Sequence, residues 1–227
     1  MSVVLEEVVP WGRTLDEYRL LFDLSDEDIR SRIIGCGDGP ASFNAEMCEL
    51  GFRVTSVDPI YSLTRSDIEK RIAHTYPTII DQCKTSRHNF IWSYFSDPDH
   101  LGAHRLAAMN RFLADLELGL RERRYVPESF PVLSFATGEF DLALCSHLLF
   151  LYSDQLSLEF HLDAVREMCR VAGEARIFPL LDLNCEVSRH IDPVVSQLCD
   201  EGYAVELRPV SYEFQRGGNQ MMKVVRR

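Results

Sequence analysis

Ile33-Ile34-Gly35-Cys36-Gly37-Asp38-Gly39-Pro40 is the stretch that decides the fold. A short β-branched run leads into three glycines at alternate positions. Phe43, Met47 and Leu50 then recur on one face of a helix over about 41–50. The pattern is strand, sharp turn, helix. Glycines let the backbone turn tightly and let a ligand approach the main chain with no Cβ in the way. The helix that follows aims its free N–H groups at that ligand. Gly51 closes the helix as a left-handed cap. A second strand, 52–57, ends at Asp58, which stands 58 − 39 = 19 residues past the last glycine. An acid placed there accepts hydrogen bonds from both ribose hydroxyls of an adenosine ligand. The plain alternative is a turn with no ligand, but three alternating glycines seldom serve a turn alone.

Outward from this stretch, short apolar strands alternate with amphipathic helices, which predicts a three-layer α/β fold with a mostly parallel sheet. Residues 15–22 read as a helix and 31–34 as the first strand. Ser66 and Glu69 have capping-box spacing and open a helix that Tyr76-Pro77 is expected to kink or break. The aromatic residues Phe90, Trp92, Tyr94 and Phe95 come next. Asp97-Pro98 then caps a long helix with Leu106, Met109, Leu113, Leu116 and Leu120 on one side. A short strand is expected near 124–126. Phe140 to Ser146 is apolar but for Asp141, so it is expected to be central. A helix over 154–170, a strand over 175–181 and a helix from Asp192-Pro193 to about 201 follow. Strands over 203–210 and 220–225 end the chain, with Arg216-Gly217-Gly218-Asn219 able to turn between them.

Composition excludes several classes. The chain has 227 residues, 46% of them hydrophobic, enough for one packed domain. The formal charge of −11 makes it a poor grip for duplex nucleic acid. The longest uncharged apolar run, Leu142 to Ser153, falls short of the roughly 20 residues of a spanning helix. No secretory signal is visible at the N-terminus. The seven cysteines are odd in number and no two have C-x-x-C spacing. That predicts reduced thiols in a cytoplasmic protein rather than a disulfide framework.

The dinucleotide fingerprint G-x-G-x-x-G/A would put its third small residue on Pro40, which has no N–H. The third glycine comes one step earlier. G-x-G-x-G, with Asp58 and the later strands, resembles motif I of the class I S-adenosylmethionine-dependent methyltransferases. The resemblance runs from about Leu15 to the C-terminus. Phe140 to His147 resembles that family's fourth strand and the loop after it. Arg170-Val171-Ala172-Gly173-Glu174 resembles its helix-to-fifth-strand turn, and the terminal strands its antiparallel hairpin. Gly12-Arg13 with Asp16-Glu17-Tyr18 resembles a leading segment of small uncharacterised bacterial members.

The resemblance implies a Rossmann-like, seven-stranded, mostly parallel sheet with an antiparallel C-terminal hairpin, and S-adenosylmethionine as cofactor. By position, Gly35, Cys36, Gly37 and Gly39 match the cradle of the donor's methionine part, and Asp58 matches the ribose acid. Pro59 and Ile60 match residues beside the adenine, with Glu128 and Ser129 near its amino group. Ser146 lies near the sulfonium, with His147 as a candidate base. Arg13 and Tyr18 would close over the donor, the guanidinium on its carboxylate. One position departs: the family's acid two residues before the first glycine is Ile33 here, so the donor's amino group must find another partner.

Eighty-three positions separate Asp58 from Asp141, where two helices, one strand and short loops need about 45 to 50. The excess is a helical insertion within 61–124 of a single domain, 1–227. Two readings stand for it, a lid over the acceptor pocket or a helical layer packed on the sheet. No metal is expected. His100 and His104 lack an E-x-x-H context. Asp182 and Asn184 resemble ligands of catechol-type methyltransferases, but the matching acid after the fourth strand is missing. No N/D-P-P-Y/F, Pro-Cys or arginine-rich element points to a nucleic-acid acceptor. The expected activity is methyl transfer to a small-molecule or protein acceptor. The alternatives are donor binding without turnover on the same fold and, more remotely, nicotinamide-dependent oxidoreduction.

Overall fold

The computed structural model describes residues 8–226. Seven strands form one sheet: β1 (Ile33–Cys36), β2 (Val54–Val57), β3 (Tyr125–Val126), β4 (Phe140–Ser146), β5 (Ala172–Phe178), β6 (Tyr203–Pro209) and β7 (Gln220–Arg226). Their order is β3-β2-β1-β4-β5-β7-β6. The first five pair in parallel, and β7 runs antiparallel to both β5 and β6. This is the class I methyltransferase arrangement. It opens a crevice at the strand C-termini where the order reverses, between β1 and β4.

Helices cover both faces. The helices α1 (Leu15–Leu21), α2 (Asp26–Arg30) and α3 (Phe43–Glu49) bury Leu21, Ile29, Phe43 and Met47 against one side. On the other, α6 (Leu158–Val171) and α7 (Ile191–Asp200) bury Val165, Met168, Val194 and Leu198. Full burial of one such side chain contributes about 1.5–3 kcal/mol.

The insertion is built of α4 (Arg65–Thr85) and α5 (Pro98–Arg121). Ile68 and Ile72 of α4 meet Met109, Phe112, Leu113 and Leu116 of α5 in a core of their own, completed by Tyr61 and Tyr125. The expected break at Tyr76-Pro77 does not occur. Pro77 lies inside α4, flanked by Ile68 and Ile72 before it and Ile79, Ile80 and Cys83 after it, all buried. Apolar burial on both sides offsets a defect worth about 3 kcal/mol in an isolated helix.

Boundaries differ elsewhere too. β1 extends through Gly35 and Cys36 into the motif. β5 begins at Ala172, directly where α6 ends, so the expected turn over 170–174 is absent. The connection between β6 and β7 is no tight turn. It spans 210–219, and its Phe214 O and Arg216 N pair with Ile91 N and Asn89 O of the insertion.

Candidate functional site

The glycine loop lies at the C-terminal edge of β1, at the junction of two adjoining cavities. Gly37, Gly39, Asp58 and Leu148 line both. Gly37 has φ +71, and a Cβ there would stand 2.5 Å from Leu148 Cδ2, so only glycine suits it. Asp58 caps the short 3-10 turn Pro59–Ser62. Its Oδ1 accepts from Ile60 N and its Oδ2 from Gly39 N, each at 2.9 Å. Two carboxylate oxygens offer about four lone-pair sites, so acceptor capacity remains for a ligand. Burial pushes the Asp58 carboxyl up, against the pull of those two N–H groups.

The outer cavity, ≈ 570 Å³, is bordered by Pro59, Ile60, Glu128, Ser129, Leu156 and Phe160. That is within the ~300–1,000 Å³ of ligand pockets. Glu128 there accepts from Ser134 N and Oγ, which fixes the bend that also carries the Ser129–Val132 bridge. The inner cavity, ≈ 130 Å³, runs from the glycine loop toward the insertion.

Arg13, Tyr18 and Asp38 meet at the loop end of the inner cavity. The Arg13 guanidinium donates to Trp11 O at 3.1 Å, and its buried Nε has no acceptor among the described residues. Burial, then the neighbouring Arg105 charge, lowers its pKa to about 10, so it stays a cation at neutral pH. The Tyr18 ring stacks on Phe43 at 4.1 Å, and its hydroxyl donates to Asp38 Oδ1 at 2.7 Å. Tyr18 is thus a buried prop for Asp38 rather than a residue poised to close. Asp38 Oδ2 accepts from Ser56 Oγ at 2.6 Å. Burial raises the Asp38 pKa to about 6 despite these two hydroxyls.

Behind them lies a buried ion pair. Glu17 takes both terminal nitrogens of Arg105 from α5, and Tyr212 Oη donates to Glu17 Oε1 at 3.2 Å. Glu17 also closes the capping box of α1 with Thr14, while Arg105 reaches Gly12 O. Insertion, leading segment and C-terminal connection are tied together next to Arg13.

Ser146 ends β4 and His147 follows it, and both line the inner cavity. Ser146 Oγ and His147 Nδ1 are 2.9 Å apart. Burial, then the charges of Arg13 and Arg105, holds the imidazole pKa well below 6.5. His147 is therefore neutral near pH 7, able to accept a proton but a weak base.

Gly35 and Cys36, expected in the cradle, lie within β1 and border neither cavity. A Cβ on Gly35 would fall 1.9 Å from Asp38 Oδ2. This glycine makes room for a side chain of its own loop. Of the insertion's aromatic residues, Phe90 borders the inner cavity; Phe95 is fully buried behind it. Sequence reading missed Asp38, Tyr152, Tyr212 and Phe214. Asp38 stood in the quoted motif as a spacer between glycines. The other three carry no local pattern. Among the described residues no three His, Cys, Asp or Glu side chains gather to hold a metal, and no helix is long and apolar enough to cross a membrane.

The strand order with its antiparallel β7, and a glycine loop facing an acid at the end of β2, define a protein of the class I S-adenosylmethionine-dependent methyltransferase fold. The chain belongs to the family of the uncharacterised protein MJ0045 of Methanocaldococcus jannaschii, with 30% identity over 224 residues and 98% of each chain covered. This relative is archaeal. No protein-family model matches the chain. Solved structures similar to it include the magnesium protoporphyrin IX methyltransferase ChlM of Synechocystis PCC 6803 with bound SAM, at 11% identity and TM-score 0.45 over 89% of this chain and 73% of that one. Another is the 1,6-didemethyltoxoflavin N1-methyltransferase of Burkholderia thailandensis, at 13% and 0.45 over 87% and 71%. The fold assignment rests on the strand order, not on these scores.

Proposed function

We propose that the protein is an S-adenosylmethionine-dependent methyltransferase. The observation that carries this reading is the Asp58 carboxylate, held by Gly39 N and Ile60 N where the two cavities meet. In this reading Asp58 takes the ribose hydroxyls. Pro59, Ile60, Glu128 and Ser129 border the adenine in the outer cavity. The backbone of Gly37 to Gly39 runs beside the methionine part. Arg13, a buried cation with an unpartnered nitrogen, takes the donor carboxylate. Asp38 supplies the acid that Ile33 does not, and its charge is favoured once an ammonium group sits beside it.

The sulfonium is already activated by its charge. The chain's contribution is to align an acceptor atom opposite the methyl and to exclude water. The acceptor lone pair forms the new bond while the C–S electron pair returns to sulfur, leaving S-adenosylhomocysteine. A protonated acceptor needs a base; the neutral His147 imidazole at the cavity wall is the candidate. Calorimetry with S-adenosylmethionine, S-adenosylhomocysteine and NAD tests the reading. Binding of the first two without NAD is expected. Binding of NAD alone, or of none, overturns it.

A further inference from the structure

The inner cavity has a composition of its own. Its three charged side chains, Arg13, Asp38 and Asp58, all belong to the glycine-loop end. Beyond them the described wall includes Ile79 and Cys83 of α4, Phe90, Tyr152, Leu183 and Phe214, with Gln215 as an uncharged polar member. Phe90 and Phe214 stack at 4.7 Å, and Trp92 and Phe95 stand edge-on to Phe214 at 5.4 and 5.5 Å. Backbone hydrogen bonds tie the two sides of this aromatic wall together. Ile91 N donates to Phe214 O, and Arg216 N to Asn89 O. Tyr152 is buried, with its hydroxyl accepting from Val9 N at 3.2 Å, so the leading segment packs along another side.

Chemistry then restricts the occupant. An anionic group at the far end would lose its water with no cation to replace it. Aromatic walls favour a flat ring in stacked or edge contact.

Resting on the donor reading above, we propose that the inner cavity is the acceptor subsite and that the acceptor is an uncharged aromatic molecule bearing a nucleophilic ring hydroxyl or ring N–H. The acceptor atom's lone pair attacks the methyl carbon, the C–S pair stays on sulfur, and the displaced proton passes to the His147 imidazole and on to solvent. Specificity is by exclusion of charge, because the far wall offers no ion-pairing group among the described residues.

The test uses fluorine NMR on protein saturated with S-adenosylhomocysteine, whose binding is measured in the same buffer by calorimetry. The probes are 4-fluorophenol and 4-fluorobenzoate. The phenol is expected to bind at least tenfold more tightly than the benzoate. Cys83→Trp, which fills the cavity from α4, is expected to abolish its line broadening. The charge comparison on the unmodified protein stands even if that variant does not fold. Normal S-adenosylhomocysteine binding with no phenol binding, or with the benzoate equal to it, overturns the acceptor assignment and leaves the donor reading intact. Absence of S-adenosylhomocysteine binding removes the donor reading, and the acceptor assignment falls with it.

Discussion

Asp38→Asn separates the stability of this loop from its chemistry. The Asp38 carboxyl is buried and accepts from Tyr18 and Ser56, yet burial raises its pKa from 3.8 to about 6. A folded pKa above the unfolded one means the group's favourable contribution is fully present below pH 3.8 and is lost as pH rises through 6. The gap of about 2.2 on the pH scale corresponds to about 3 kcal/mol at 1.36 kcal/mol each. Between pH 4 and pH 8 the loss is about 2.5 kcal/mol, because the unfolded carboxyl is already more than half ionised at pH 4. The asparagine cannot ionise, but its single amide oxygen leaves one of the two hydroxyls without its acceptor, a cost of about 1 kcal/mol. The variant is therefore expected to be slightly less stable than the parent at pH 4 and about 1–2 kcal/mol more stable at pH 8. Urea unfolding of both proteins at the two pH values measures the swing, and the difference between proteins cancels every other titrating group. Parallel curves, with the same offset at both pH values, would refute a strained carboxylate at this position. Calorimetry on the same variant should show weaker S-adenosylmethionine binding at pH 8, where the parent carries the charge.

Asp58→Ala should weaken donor binding by roughly 1.5–3 kcal/mol, the scale of hydrogen bonds to a charged group; unchanged calorimetric affinity would remove the ribose assignment. Gly37→Val should nearly abolish binding, since it forces a β-branched residue to φ +71 and a Cβ to 2.5 Å from Leu148; normal binding by a folded variant would contradict the cradle. Arg105→Met keeps the volume but leaves Glu17 buried without its cation, at a cost of about 3–5 kcal/mol. Burial opposes the Glu17 charge and Arg105 more than offsets it, so this loss should grow as pH rises, readable in thermal melts at pH 5 and 8.

How much of this was legible in the sequence follows from where the signals sit. The strand-glycine-helix stretch and Asp58 are local, and each carries its own physical reason, so the crevice at β1 could be placed from residues 33–58 alone. The 3-4 spacing of Leu106, Met109, Leu113 and Leu116 marked a packed helix, and those four do face α4 and the sheet edge. Pro77 does not break α4 because its local penalty is outweighed by tertiary burial on both sides of it. Asp38 was hidden for the opposite reason. Its role depends on a tyrosine 20 residues earlier and a serine 18 later, and on the empty space that Gly35 leaves.

On the proposed reading, the acceptor is harder to read in the sequence than the donor. The loop, Asp58 and the residues after it lie within one βαβ unit, so the side assigned to the donor is written in a continuous segment. The opposite wall is assembled from five segments among the described residues: Val9 and Trp11; Ile79, Cys83 and Phe90; Leu148, Leu151 and Tyr152; Phe178 and Leu183; and Tyr212, Phe214 and Gln215. None has a periodicity that reports its destination. What brings them together is the Glu17–Arg105–Tyr212 cluster and the pairing of 89–91 with 214–216. These are long-range contacts that fix the cavity without touching a ligand. The helices of the insertion form a packed layer with their own core, and Phe90, in the segment after α4, borders the inner cavity. A change in acceptor preference within this family should then track substitutions at 79, 83, 90 and 214, while the glycine loop and Asp58 keep to the donor.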